Sequence, residues 1–285
     1  MISCIICSCF SDISEELKQN IERTIGIDYE LIVIDNSTNK YSIFSAYNEG
    51  VRRSKGDILC FMHEDILYKT ENWGLHVYKH FDGDGKLGLI GVLGGHFLPD
   101  IPCHIGDSEL LSSNFYYVAD GKHTHIHHNK YFGEDSSSEV VAVDGLWFSI
   151  SNTLFEKICF DENLNGFHYY DMDISMQIWA SGYKCKVVDD VVVSHLSGGC
   201  INGDFINNTY LFYKKWNMKL PMVKGVSFDS DFLNMTKLMC VYKNYARELQ
   251  YENDRIKKSR IYCVLLYCKK LRNGIMSIIW NVVKR

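Results

Sequence analysis

Proline is scarce in this chain, 3 residues in 285, and together with only 21 glycines that scarcity excludes collagen-like, proline-rich and low-complexity classes. No apolar run approaches the roughly 18 residues that a bilayer-crossing helix requires. The chain opens without a charged segment, apolar stretch and cleavage site, so it is read as cytoplasmic. No GxGxxG opens the first helical segment and no GxxxxGKS/T occurs anywhere, which counts against dinucleotide redox enzymes and P-loop phosphotransferases. A basic surplus is missing too: the net charge is −5, which argues against a chain that coats nucleic acid.

What is present is a large apolar fraction, 46% of residues, in a chain long enough to bury roughly three-quarters of its unfolded surface without disulfides. The eleven cysteines are odd in number and scattered, the usage of reduced thiols. Cys4 and Cys7 have redox-pair spacing but lie inside an apolar run, so they read as core strand thiols. Charge is distributed unevenly. From Arg255 to Arg285 there are nine basic and no acidic residues, leaving 21 basic against 35 acidic, or −14, for positions 1 to 254.

Ile2 to Cys9 is a continuously apolar run, the pattern of a strand buried on both faces of a parallel sheet. Asp12 with Glu15 forms an expected capping box for a helix through Leu17, Ile21 and Ile25, which Gly26 ends. Glu30 to Asp35 is a second strand, Ser42 to Ser54 a second helix and Asp57 to Met62 a third strand, so a right-handed β-α-β start is expected. A helix around Trp73 to Phe81 and a strand at Leu87 to Leu93 follow. From Phe97 to about Glu139 periodicity is lost, which predicts a long loop or lid-like insertion, with a short hairpin inside it as an open alternative. Val140 to Ile150 reads as one strand, Asn152 to Ile158 as a short helix, Asp171 to Ala180 as a helix, Lys184 to Ser194 as one strand ending at His195, and Asn244 to Arg285 as helical.

In open α/β sheets ligands bind beyond the carboxyl ends of strands. Three such ends carry Ser8-Cys9-Phe10, Asp35-Asn36-Ser37 and His63-Glu64-Asp65. Taken singly, an aspartate there is an ordinary turn or cap former. The ordered set is more specific: strand, Asp35-Asn36-Ser37, Ala46-x-Asn48-x-Gly50, Gly56-Asp57, strand, Asp65, then Val143-Asp144-Gly145, Tyr169-Tyr170-Asp171-Met172-Asp173, Gly182-Tyr183, strand and His195. Over about residues 1 to 200 this order resembles the family-two glycosyltransferases of GT-A fold.

The resemblance implies an α/β, Rossmann-like, mostly parallel sheet flanked by helices, with a nucleotide-sugar half at 1–95 and an acceptor half at 96–200; beyond it, residues 201–285 read from their own pattern as a mainly helical, basic C-terminal extension. The resemblance also implies that Asp35 contacts the nucleotide base and that Asp65 is the last carboxylate of a DxD-type motif, here His63-Glu64-Asp65. It makes His195 a late metal ligand, with Asp65, for Mn²⁺ or Mg²⁺, and makes Asp171 the catalytic base with Asp173 in reserve. Ser8, Phe10, Asn48 and Arg52 are further donor-side candidates, with Arg52 near the diphosphate. Asp144, Gly145 and Trp147 are acceptor candidates, and stacking on a sugar and strand packing are equally open for Trp147.

The chemistry suits these types. A cation offsets charge developing on a diphosphate leaving group, one carboxylate takes the acceptor proton, and in-line attack inverts the anomeric carbon. The implied partners are a nucleotide sugar, a UDP-sugar first, and a glycan or lipid-linked acceptor in bacterial surface polysaccharide synthesis. A nucleotidyltransferase and a non-catalytic sugar-nucleotide or glycan-binding protein are the competing readings. His123, His125, His127 and His128 read as a solvated or acceptor-facing loop rather than a second metal site. Basic clusters alternate with short apolar runs through 255–285, which suits either peripheral contact with the inner face of the membrane or packing on the body or on a second copy in a homodimer.

Overall fold

The computed structural model describes residues 1–196 and 202–259. Strand β1 (Ile2–Ser8) is buried at every position but Cys7 and pairs in parallel with β2 (Tyr29–Asp35) and β3 (Ile58–Met62). Ser8 lies opposite Asp35 and Ile6 opposite Met62, so the carboxyl ends share one edge. Helix α1 (Glu15–Thr24) joins β1 to β2, and α2 (Ile43–Arg53) joins β2 to β3. The cap of α1 is Ser14, whose hydroxyl accepts from the Leu17 amide, and not Asp12. The Asp12 carboxylate is engaged by the Ile13 amide and by Lys18 Nζ at 2.6 Å. Gly26 stops the helix with φ of +73°, a left-handed value that costs a residue without Cβ little.

After β3 the chain forms β4 (Ile66–Tyr68), α3 (Trp73–Gly83), β5 (Leu87–Gly91), β6 (Leu93–Gly95) and β7 (Phe97–Leu98). Then come β8 (Leu111–Ala119), β9 (Lys122–His128), β10 (Ser137–Val140), β11 (Ala142–Val143), β12 (Trp147–Ser151), α4 (Tyr170–Ala180), β13 (Lys184–Val188) and β14 (Val193–His195). The described chain ends with α5 (Gly203–Trp216), β15 (Met222–Val223) and α6 (Ser230–Lys258). The main sheet has the order β10-β13-β5-β12-β3-β1-β2. β12 runs antiparallel to both neighbours and β10 antiparallel to β13, so half of its pairings are parallel. A second sheet, β11-β6-β8-β14-β4 with β9 beside β8, lies at the carboxyl end of the first. The α/β architecture is thus as expected, with a more mixed main sheet.

Alternation along β1 divides the core. Ile2, Cys4 and Ile6 join Leu17 and Ile21 of α1 and Trp73 and Val77 of α3, while Ile5 joins Phe44 and Tyr47 of α2 and Ile174 and Ile178 of α4. A third cluster packs Tyr169 and Met172 against Phe205, Phe212 and Trp216 of α5 and Cys240 of α6. The described cysteines are all free thiols.

Four expectations change. The hairpin open as an alternative after Phe97 is present but long, a nine-residue β8 against a seven-residue β9, and it takes up much of what was expected to be loop. Asp120 and Gly121, with φ of +51° and +71°, make the two-residue turn that right-handed strand twist favours. The run from Val140 to Ile150 is broken into β10, β11 and β12, because Asp144-Gly145-Leu146 turns the chain between two sheets. The run from Lys184 to Ser194 is likewise two strands in different sheets. Asp189 and Asp190 bend it, held sideways by His127 at 2.8 Å and by His76 and His80 at 2.9 and 2.8 Å. The short helix expected from Asn152 is present as a 3₁₀ helix, Asn152–Glu156. Helix α6 starts at Ser230, well before Asn244. The expectation for the basic tail lies, from residue 260 on, outside the described residues.

Candidate active site

Strand register gathers the site. β12 runs antiparallel to β3 with Trp147 opposite Met62, so the Asp144–Leu146 turn lies beside His63, whose amide donates to the Leu146 carbonyl at 3.2 Å. β14 runs antiparallel to β4 with His195 opposite Ile66, which sets His195 next to Asp65. These ends open on a cavity of about 830 Å³ lined by Phe10, Glu64, Tyr117, His104, Phe205 and Arg247, among others.

At the end of β3, His63, Asp65 and His195 converge. His63 Nδ1 is 3.3 Å from His195 Nε2, and Asp65 Oδ1 is 3.4 Å from His195 Nε2 and 3.9 Å from His63 Nδ1. Three cis ligands of an octahedral cation with bonds of about 2.1 Å stand about 3 Å apart, so this set needs only a small contraction to hold one. Two imidazoles and a carboxylate suit Mn²⁺ and its transition-metal neighbours better than a purely oxygen-seeking ion. Burial, with the adjacent His195 second, keeps His63 below the usual imidazole value, so its ring is neutral and offers a lone pair. Glu64 turns the other way, accepting from the Ser8 hydroxyl and from the Cys9 amide at 3.1 Å, and so ties β1 to this strand end.

Across the cavity Asp171 sits in the first turn of α4. Its Oδ2 accepts the Gly145 amide at 2.7 Å and its Oδ1 the Met172 amide at 2.8 Å. Burial first and the Asp144 carboxylate second push its pKa up to about 7, against the two amides, which favour the ionised form. His104, Asp144 and Asp171 each present a ligand-type atom within 4.8 Å of the others. A hydrogen-bond path connects the two groups: Tyr170 Oη lies 3.1 Å from His63 Nε2 and donates to the Gly145 carbonyl at 3.2 Å, while the Gly145 amide holds Asp171. Only glycine fits beneath the tyrosine, since a Cβ at 145 would stand 2.0 Å from Tyr170 Oη. Gly145→Ala is therefore expected to cost about 1–3 kcal/mol of stability by overpacking and to impair activity by displacing Tyr170, as urea unfolding and assay will show.

Of the residues singled out in the sequence, Phe10, His63, Glu64, Asp65, Asp144, Gly145, Asp171 and His195 line this cavity. The others are held elsewhere. Ser8 is buried behind Glu64. Asp35 is at the exposed end of β2, with Oδ1 accepting the Ser37 amide at 2.9 Å. The Asn48 amide group is used at both ends by the Phe160 backbone, at 2.8 and 3.0 Å. Arg52 pairs with Glu49, Nε to Oε2 at 3.0 Å. Trp147 is fully buried and donates to Tyr68 Oη at 2.8 Å, which leaves no ring face for a sugar.

Asp173 lies two residues, or about 200°, around α4 from Asp171. It is buried against Lys215 Nζ at 2.8 Å and Trp216 Nε1 at 2.8 Å. Asp173→Ala should cost about 1–3 kcal/mol in urea unfolding, because it leaves the buried Trp216 Nε1 donor without an acceptor, while Lys215 keeps Asp161 at 2.6 Å. The histidines of β9 form a surface ladder rather than a loop: His125 stacks on Tyr116 at 4.4 Å, and His127 stacks on His125.

Three cavity residues carried no sequence signal of a role. His104 lies in the stretch without periodicity, Phe205 is on α5, and Arg247 reaches the cavity from α6, fixed by Asp107 Oδ2 at 2.7 Å. Their positions depend on long-range packing.

A protein-family model, the glycosyltransferase like family, matches residues 2–218. No curated protein matches the chain in sequence. Among solved structures, GalNAc-T7 with UDP, GalNAc and Mn²⁺ is similar with a TM-score of 0.51 and 14% identity, covering 76% of this chain and 50% of that one. A197 from STIV is similar with a TM-score of 0.41 and 12% identity, covering 69% of this chain and 86% of that one. The chain thus spans half the length of the first of these, and at such identity the likeness is one of fold. The family match runs from β1 past the end of α5 and takes in both sides of the cavity; the chain belongs to the glycosyltransferase-like family and has the GT-A fold.

Proposed function

We propose that this protein is a cation-dependent, inverting glycosyltransferase that moves a sugar from a nucleoside-diphosphate donor, a UDP-sugar first among them, to a hydroxyl of a glycan or lipid-linked acceptor. The observation that carries the reading is the pairing, across one cavity, of the His63, Asp65 and His195 set with a buried carboxylate, Asp171, poised near neutrality. A divalent cation bound by His63, Asp65 and His195 supplies Lewis-acid neutralisation of the charge that leaves with the diphosphate. The fold relative GalNAc-T7, solved with UDP and Mn²⁺, supports a cation on the donor side.

Asp171 acts on the acceptor side. As the acceptor oxygen bonds to the anomeric carbon and the bond to the diphosphate breaks, its carboxylate takes the hydroxyl proton. The Gly145 and Met172 amides hold the carboxylate in place, and Tyr170 sets its spacing from the donor end. One base on the face opposite the leaving group gives inversion. No described helix is long and apolar enough to cross a membrane; a site at the cytoplasmic side of the cell membrane, serving bacterial surface polysaccharide synthesis, suits the acidic body and basic tail.

The test is a thermal-unfolding panel of nucleotide sugars with and without Mn²⁺, followed by assay of the donor selected. A donor at 100 times its dissociation constant adds about 2.7 kcal/mol, and the product's anomeric configuration, read by proton NMR, should be opposite to the donor's. A panel in which no nucleotide sugar stabilises the protein in Mn²⁺ rejects the reading, and a product that keeps the donor configuration rejects the single-base mechanism.

A further inference from the structure

Helix α6 carries two stripes. The inner one, Thr236, Cys240, Lys243 and Arg247, faces the body: Thr236 and Cys240 are buried, and Lys243 Nζ reaches the Asp107 carbonyl at 3.1 Å and Glu109 at 2.7 Å. The outer one consists of Met235, Leu238, Tyr242, Tyr245, Leu249 and Ile256, each more than half exposed. Its spacing alternates between three and four residues from 235 through 249, and after Glu252 it resumes at 256. That is the a and d pattern of a heptad, the seam by which one helix packs on another. Contiguous apolar surface of this extent on a soluble domain marks an interaction site.

We propose that the occupant of this seam is a second copy of the chain, with the two α6 helices antiparallel about a two-fold axis. The charges on α6 select both the partner and the direction. Asp229 and Asp231 stand at its start; in its last turn Arg255 pairs with Glu252 at 3.0 Å and Lys257 with Asp254 at 3.8 Å, so Lys258 carries the surplus positive charge of that end. Antiparallel pairing brings each acidic start against the basic end of the partner subunit, whereas parallel pairing sets like charges together. In the antiparallel register Leu238 meets Leu249 of the partner subunit, and the two tyrosines fill the centre. Glu252 within the seam, with Glu248 and Asp254 beside it, opposes an anionic bilayer as the alternative occupant.

Sedimentation equilibrium on the full chain tests this. The wild type should be a dimer at tens of micromolar, and Leu238→Glu with Leu249→Glu should weaken association by at least about a hundredfold. Asp231→Lys should weaken it as well, and adding Lys258→Glu should restore it. Such rescue is a property of the antiparallel arrangement and is read without disturbing the apolar seam. A monomeric wild type overturns the proposal, as does a dimer that the two leucine substitutions leave intact. Loss of sedimentation with phosphatidylserine vesicles by the leucine variant, at unchanged protein mass, also overturns it and assigns the seam to lipid.

Discussion

Replacing Asp171 with asparagine is expected to leave donor binding in Mn²⁺ unchanged and to lower the transfer rate by about 10²–10⁴-fold, the range for losing a positioned general base. Asparagine keeps the size of the side chain and removes its ability to accept a proton. Calorimetric titration of the donor and steady-state assay of the same sample separate binding from transfer, and a variant that transfers at the wild-type rate eliminates Asp171 as base. Because the carboxyl titrates at about 7 and must be ionised to act, kcat/KM in the wild type should rise through that pH and level off above it. Asp144→Asn removes the neighbouring charge that raises this value, so the acid limb should move to lower pH. The stability sign follows from the same shift. Folding raises this group from about 3.9, so its favourable contribution is present at low pH and is lost as pH rises towards about 7.

Alanine at Asp65 or at His195 should abolish Mn²⁺-dependent donor binding, with cation affinity lower by at least about a hundredfold, because each removes one of three converging ligand atoms. Cation titration by calorimetry, without acceptor, measures this directly. Wild-type affinity in either variant removes that residue from the ligand set. His63→Asp makes a finer test. It exchanges an imidazole for a carboxylate where the DxD pattern has an acid, and should keep binding while shifting preference from Mn²⁺ towards Mg²⁺, since harder ligands suit the harder ion. A variant with unchanged preference places His63 outside the coordination sphere.

The strand ends that carry His63, Glu64 and Asp65 to the candidate site were legible in the chain because each of these parts is local. Apolar runs of strand length announce β1, β2 and β3, and the residues that follow a parallel strand fall at its ligand-facing edge whatever the rest of the molecule does. The position of Asp171 was legible for a similar reason, as a carboxylate in the first turn of a recognisable helix. The hairpin at Asp120-Gly121 was also within reach, for an Asp-Gly pair between strand-forming segments is the strongest short-range hairpin signal. The run of histidines and the lack of clear alternation in β9, which is exposed along nearly all its length, obscured it.

Asn48, Arg52 and Trp147 show where local reading stops. Each is a residue type that can bind a nucleotide or a sugar, and each has its bonding taken by a partner distant in sequence or on its own helix face: Phe160 for Asn48, Glu49 for Arg52, Tyr68 for Trp147. The sequence by itself determined the strand-helix rhythm, the strand ends where chemistry can occur, and the residue types at those ends, since these follow from periodicity and backbone preference over a few residues. Only the tertiary structure decided that Asp144-Gly145 leaves the sheet to hold Asp171, that His195 returns on a separate strand to meet Asp65 and His63, and that α5 and α6 close the cavity with Phe205 and Arg247. Those outcomes depend on antiparallel registers and packing between segments that lie from 26 to 140 positions apart, and the free energy of such contacts has no imprint in any short window of sequence.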